Sequence, residues 1–208
     1  PTLASRQGNP ESMKRVVRKV LSVTTYIIFP MMFGMILIGE YSTSLIPTSG
    51  PIFGDLYQIY SEQMNSISDD TFTLFLLVSF FAPIIEEILF RGIIQKGMIN
   101  KGVKPRNAII ISALVFGIVH FNPWQFIGAF LLGIVLGVVY YKTKSLLMSI
   151  FLHFFNNTIV VVMMKFFYTE SFSELLNIPE YVVLLAGIVI FAIFYYLFMY
   201  RNRIYYRE

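Results

Sequence analysis

Residues 107–141 read NAIIISALVFGIVHFNPWQFIGAFLLGIVLGVVYY, 35 residues without one Asp, Glu, Lys or Arg. A spanning helix needs about 20 apolar residues, at about 1.5 Å of rise each, to cross about 30 Å of hydrocarbon. The stretch is too long for one such helix, and Asn122-Pro123 interrupts it; proline cannot continue a helical ladder. It therefore reads as two helices joined by a turn. Unbroken, it would measure about 52 Å, less than the roughly 60 Å that two full crossings require. The turn is thus expected below the membrane surface, where non-helical backbone must be buried in protein or line a wet cavity. His120 stands just before it.

Four further apolar runs flank this stretch: Val20–Ile38, Thr71–Gln95, Ser145–Met164 and Tyr181–Tyr200. The reading is all-α, a polytopic transmembrane bundle of about six spanning helices. Composition agrees. The 208 residues are 56% hydrophobic and 13% charged, with 21 Phe, about half the charge of a soluble domain. A soluble globule and a disordered chain are both excluded. The absence of Cys excludes disulfides, thiolate metal sites and Cys nucleophiles. Residues 1–12 are polar and patternless and read as an appended or disordered tail. Residues 13–208 read as one domain with its motif-bearing core at 71–160. The run Val20–Ile38 is longer than a signal-peptide core and lacks a small-x-small cleavage site, so it reads as an uncleaved first span.

The net charge of +4 is explained by topology. Lys14, Arg15, Arg18 and Lys19 precede the first span; the 40–70 loop has five acids and no Lys or Arg. Lys96, Lys101, Lys104 and Arg106 follow the second span, and Lys142 and Lys144 follow the fourth. The 165–180 loop has Lys165 against three Glu, and the tail carries Arg201, Arg203 and Arg207. Basic residues alternate sides without conflict, which by the positive-inside rule places both termini in the cytoplasm. The expected partner of these charges is anionic lipid, not nucleic acid. The expected location is a bacterial cytoplasmic membrane. Gly133-x-x-x-Gly137, with Gly128 nearby, fits close helix approach. Tyr195, Tyr196, Tyr200, Tyr205 and Tyr206 fit an interfacial belt. Whether the 40–70 loop is a short loop or a partial helix stays open.

The polar residues inside the spans carry the chemistry. Span two holds Glu86, Glu87 and Arg91, the third holds His120, and the fifth holds His153, Asn156 and Asn157. One charge at the bilayer centre costs at least about 2.5–3.5 kcal/mol, so three bare ones would approach about 8–10 kcal/mol. They must be paired, hydrated or retained for function. Helical rise puts Glu86, His120, His153 and Asn157 roughly 12–20 Å from the cytoplasmic end, at one mid-membrane level. Glu87 and Arg91 are i,i+4 neighbours suited to a salt bridge. Glu86 is rotated about 100° away, leaving it free to face a reactant. Pro83 is expected to kink span two. His153 and Asn157 share a face, and Asn156 points elsewhere.

An acid, two imidazoles and an amide in a damp apolar chamber suit water activation. A desolvated Glu is the stronger base, and His153 and Asn157 suit donation to an oxyanion. The rival is zinc, for which Glu86, His120 and His153 would make a sufficient set, although HExxH is absent. Three motifs then coincide. Ala82–Gly92, APIIEEILFRG, resembles EExxxR; Phe116–His120 resembles FxxxH; His153–Asn157 resembles HxxxN. Their order in membrane helices resembles the CPBP intramembrane protease family, which includes Rce1-type CAAX prenyl proteases and bacteriocin-processing or self-immunity proteins. The resemblance implies an endopeptidase cutting peptide bonds within the membrane. It implies that Glu86 and His120 activate the water, that His153 and Asn157 stabilise the oxyanion, and that Glu87, Arg91 and Phe116 support the site. It implies a peptide or protein substrate, a bacteriocin or pheromone-type precursor or a prenylated CaaX-like protein, and leaves zinc open. Two other classes are weighed: a catalytically idle scaffold or immunity protein on the same fold, and a proton-coupled transporter.

Overall fold

The first apolar run forms α1, Val23–Ser44, which carries Pro30 within it. The computed structural model describes residues 23–67 and 70–202. After α1 come α2 (Phe53–Ile67), the long α3 (Thr71–Asn100) and α4 (Pro105–Ile118). Then follow α5 (Pro123–Thr143), α6 (Leu146–Phe167), the short α7 (Phe172–Leu176) and α8 (Glu180–Arg201). Among the described residues there is no strand. The protein is a multi-pass integral membrane protein.

Five helices, α1, α3, α5, α6 and α8, are long and apolar enough to cross a membrane. The sixth expected span is α4, whose 14 residues measure about 21 Å and fall short of the hydrocarbon thickness. The break comes where the sequence places it. Asn122 caps α5 by accepting from the Gln125 N–H at 2.8 Å, and Pro123 takes the first helical position, where its missing N–H costs nothing. The first span is displaced: it runs on to Ser44, and residues 20–22 lie outside the described residues. It continues past Glu40 because that carboxylate is fully used. Glu40 accepts from the Phe172 and Ser173 N–H groups at 2.9 and 3.0 Å and from Ser171 Oγ at 2.8 Å, tying α1 to the start of α7.

The open question of the 40–70 loop resolves into helix. Phe53, Tyr57 and Tyr60 of α2 surround Trp124 at the head of α5, with ring centroids 6.3, 5.0 and 5.8 Å from its own. Burial, aided by Glu170 and Tyr57 nearby, pushes the Tyr60 phenol above its ordinary value. Asp70 caps α3 through the Phe72 and Thr73 N–H groups, and its hydrogen bonds hold its carboxyl below the usual carboxylate range. Chain direction then separates the charges. Lys96, Lys101, Lys104, Arg106, Lys142, Lys144 and Arg201 gather at one end of the bundle; Asp55, Glu62, Asp70, Glu174 and Glu180 stand at the other. The basic residues before position 20 and beyond 202, and Tyr205 and Tyr206, lie outside the described residues. Tyr196 and Tyr200 stack at the basic end and are exposed, as a belt requires.

Two glycine contacts set the helix spacing. At the α1–α8 crossing, a Cβ on Gly34 would lie 2.6 Å from the Phe191 nitrogen, and one on Gly187 would lie 2.9 Å from the Gly34 oxygen. Backbone touches backbone there. A Cβ on Gly133 would stand 3.0 Å from Ala113 of α4, and one on Gly137 would stand 2.9 Å from Ile109. Gly128, expected to join them, faces open space. The core between α1, α5 and α6 is filled by Met31, Met32, Leu136, Val139 and Leu152. Apolar side chains on α8, such as Leu185, Val189 and Ile193, remain exposed, as lipid contact allows.

These contacts generate a prediction. Gly187→Leu should destabilise the bundle by about 1–3 kcal/mol or more through overpacking, and Gly128→Ala should be near neutral, as read by thermal unfolding in detergent micelles. Equal midpoints for the two variants would contradict the Gly34–Gly187 crossing.

Candidate active site

The site is built on α3, whose ladder is irregular. Phe75–Phe81 and Ile88–Gln95 follow wide i→i+5 hydrogen bonding, on either side of the α-helical Ala82–Glu87. Such wide turns cluster at functional sites. A turn wider than 3.6 residues lets residues four apart stay in line. Accordingly Glu87, Arg91 and Gln95 form one stripe, each fully buried. The Glu86 side chain points off that stripe and keeps 31% exposure. One carboxylate is structural and the other faces outward from the stripe, as the 100° rotation requires.

Pro83 does not simply kink the span. The Ala82 N–H bonds to the Leu77 carbonyl. In the same frame the Val78 carbonyl would pair with residue 83, and proline has no N–H to give. The orphaned oxygen is satisfied from α6: Asn157 Nδ2 donates to it at 2.8 Å. Asn156 Nδ2 in turn donates to Asn157 Oδ1 at 2.9 Å. Asn156 therefore points into this cluster, contrary to expectation, because it anchors the amide beside it. Asn157 keeps one Nδ2 hydrogen uncommitted.

The stripe and α6 meet at one oxygen. Glu87 Oε1 receives Arg91 Nη1 at 2.5 Å and His153 Nδ1 at 3.0 Å. Since a carboxylate accepts, His153 carries its proton on Nδ1 and turns Nε2 toward Glu86 Oε2, 3.6 Å away. His120 is fixed in the same way. Its Nδ1 lies 2.8 Å from the Phe116 carbonyl, which can only accept, so its Nε2 is the free ring nitrogen. Asn122 Nδ2 braces the turn by donating to the His120 carbonyl at 3.0 Å. Phe116, fully buried, stands edge-on to both imidazoles, with centroids 5.1 and 5.7 Å apart. Arg91 Cζ lies 4.9 Å above its ring, a cation–π contact.

The structure thus joins Glu86, Glu87, Arg91, Phe116 and His153 through successive contacts, and sets His120 edge-on to the same Phe116 ring. Asn157 lies one turn along α6 from His153 and is engaged with α3. A zinc ion would need Glu86, His120 and His153 around one point. Among the described residues no three His, Cys, Asp or Glu side chains gather closely enough to hold a metal. The donor set does not fit a three-ligand zinc as placed, and no step is routed through one.

Two features escaped the sequence reading. Gln95 is buried and donates from Nε2 to the Gly137 carbonyl at 3.0 Å. One turn away, Arg91 Nη2 donates to the Gly133 carbonyl at 3.2 Å. The small-residue motif therefore also works as a pair of acceptors. Signals for both were present: Gln95 is polar, inside an apolar run, and four residues from Arg91, matching the spacing of the two glycines.

Residues 68–159 match the family described as type II CAAX prenyl endopeptidase Rce1-like. The chain is 34% identical over 90 residues to YdiL of Bacillus subtilis, named as a candidate membrane peptidase; the match covers 43% of this chain and 36% of that protein. It is 33% identical over 91 residues to the membrane-embedded CAAX protease MroQ of Staphylococcus aureus, covering 41% and 36%. The chain thus spans about a third of the length of these relatives. Residues 1–50 also match a family described as polysaccharide biosynthesis protein; its described portion is α1 and the turn after it, outside the site. No solved structure matches.

Two substitutions test the cluster, each read by thermal unfolding in micelles. Asn157→Ala should cost about 1–3 kcal/mol, because the Val78 carbonyl is left without a partner. Glu87→Ala should cost about 3–5 kcal/mol by stranding the Arg91 charge. Wild-type stability in either would refute the corresponding contact.

Proposed function

We propose that the chain, whose residues 68–159 match the Rce1-like CAAX endopeptidase family and which resembles two bacterial membrane proteases, is an intramembrane endopeptidase of the CPBP type. Glu86, partly exposed and in contact with His153, is the base that takes a proton from water. His120, with Nδ1 committed to the Phe116 carbonyl, offers Nε2 to orient that water or share its proton. His153, when protonated at Nε2, donates to the oxyanion of the tetrahedral intermediate. The uncommitted Asn157 hydrogen is a second donor. Glu87 and Arg91 hold the imidazole of His153, and Phe116 excludes water from between the rings and the guanidinium.

A single observation carries this reading: a partly exposed carboxylate and a buried imidazole meet at 3.6 Å in the middle of apolar helices. Apo contacts of this kind tighten once a substrate is bound. The basic end of the bundle is the cytoplasmic end in this proposal, because positive residues stay inside. The substrate is a peptide or protein held at the membrane: a secreted-peptide precursor of bacteriocin or pheromone type, or a CaaX-like protein, as the name of the staphylococcal relative suggests. Water activation by the acid and imidazoles, without a metal, is the chemistry the donor geometry favours.

The experiment is comparative proteomics of membranes from cells carrying wild-type or Glu86→Gln protein, followed by cleavage of the accumulated peptide with purified enzyme. Glu86→Gln and His120→Ala should each lower the rate by about 10²–10⁴-fold, the usual worth of a general base, with folding intact. Full activity in purified Glu86→Gln would overturn the proposal.

A further inference from the structure

Gln95 is an amide buried in a membrane helix, where a polar group needs a partner to offset its desolvation. Its hydrogen bond runs to Gly137 of α5 and to no candidate catalytic residue. The Arg91–Gly133 bond repeats the same geometry one turn along both helices. Two rungs of equal spacing fix the axial register of α5 against α3. Both carbonyls also belong to the ladder of α5, so each rung uses a second oxygen lone pair.

The two rungs are not equivalent. Arginine is long and can follow a sliding carbonyl by changing rotamer, whereas glutamine is shorter and cannot. A slip of α5 by one residue moves Gly133 by about 1.5 Å. Arg91 would then have to choose between the Gly133 carbonyl and Glu87. The glycines are part of the device: a Cβ at Gly137 would stand 2.9 Å from both Gln95 Oε1 and Ile109 Cγ2. Only a bare backbone lets α5 come within reach of Gln95.

We propose that Gln95 is a positioning residue of the active site, holding α5 in the register that keeps Arg91 on Glu87 and, through that shared oxygen, His153 in its working tautomer. The proposal rests on the protease reading for its catalytic consequence and on the structure alone for its effect on His153. The path has four steps, each a named contact: Gly137 to Gln95, Gly133 to Arg91, Arg91 to Glu87, and Glu87 to His153.

The test uses the full chain in lipid nanodiscs. With two His in the sequence, isotope-labelled histidine gives two imidazoles, and His120→Gln identifies the signal of His153. The wild type should show a hydrogen-bonded Nδ1–H on His153. Gln95→Met, close in volume but without a donor, should broaden or lose that proton, and Gly137→Ala should do the same from the other helix. Gly34→Ala, which disturbs the α1–α8 crossing instead, should leave it in place. In cleavage assays with a peptide the wild type cuts, Gln95→Met should lower kcat several-fold, with KM little changed. An unchanged His153 signal in folded Gln95→Met overturns the proposal. So does the same loss in Gly34→Ala, which would mean general loosening. If the wild type cuts no peptide, the protease reading fails, and the spectroscopic comparison still decides the role of Gln95.

Discussion

One carboxylate oxygen, Glu87 Oε1, accepts from both Arg91 and His153 with no exposure to solvent. The rest of the structure follows from keeping it there. A buried charge is costly, and removing one member of a buried pair costs more than the pair contributes. Arg91 finds further partners on two other sides. Phe116 offers a ring face and Gly133 a carbonyl. Those contacts require α5 to lie close, which the glycines permit, and require α4 to deliver Phe116, which its packing on Gly133 achieves. His153 is oriented as a consequence, and its free nitrogen is aimed at the neighbouring, partly open carboxylate of Glu86.

The irregularity of α3 serves the same end. Regular α-helix would rotate Gln95 away from the face that holds Glu87, because residues four apart advance by more than a full turn. The wide segments on either side of Ala82–Glu87 correct this drift. They also leave the Val78 carbonyl without a partner above Pro83, and that gap is where Asn157 docks α6. A proline, a widened turn and an amide thus form one device that sets the distance between the acid-bearing helix and the His153 helix.

Much of this was legible in the sequence. The uncharged run 107–141 and its Asn-Pro break give the α4–α5 pair directly, since no other arrangement of that run fits the bilayer. The Glu87–Arg91 pairing and the outward turn of Glu86 follow from helical spacing. What the sequence could not show is lateral distance: that His153 would share an oxygen with Arg91, or that both imidazoles would stand edge-on to one phenyl ring. Asn157 was read by its chemistry as an oxyanion donor, while its bond to Val78 depends on a π-turn that no periodicity announces. The Gly34–Gly187 crossing joins residues at opposite ends of the chain, so nothing local marks it. Gln95 closes an apolar run in the sequence, and only the structure shows its amide buried on the Gly137 carbonyl.

The account depends on water being activated by the protein's own acid and imidazoles. The most direct measurement is cleavage of a membrane-anchored peptide by purified, thoroughly chelated protein in ¹⁸O-labelled water. The account predicts undiminished cleavage with one labelled oxygen in the new carboxylate. Activity abolished by chelation and restored by zinc would contradict it.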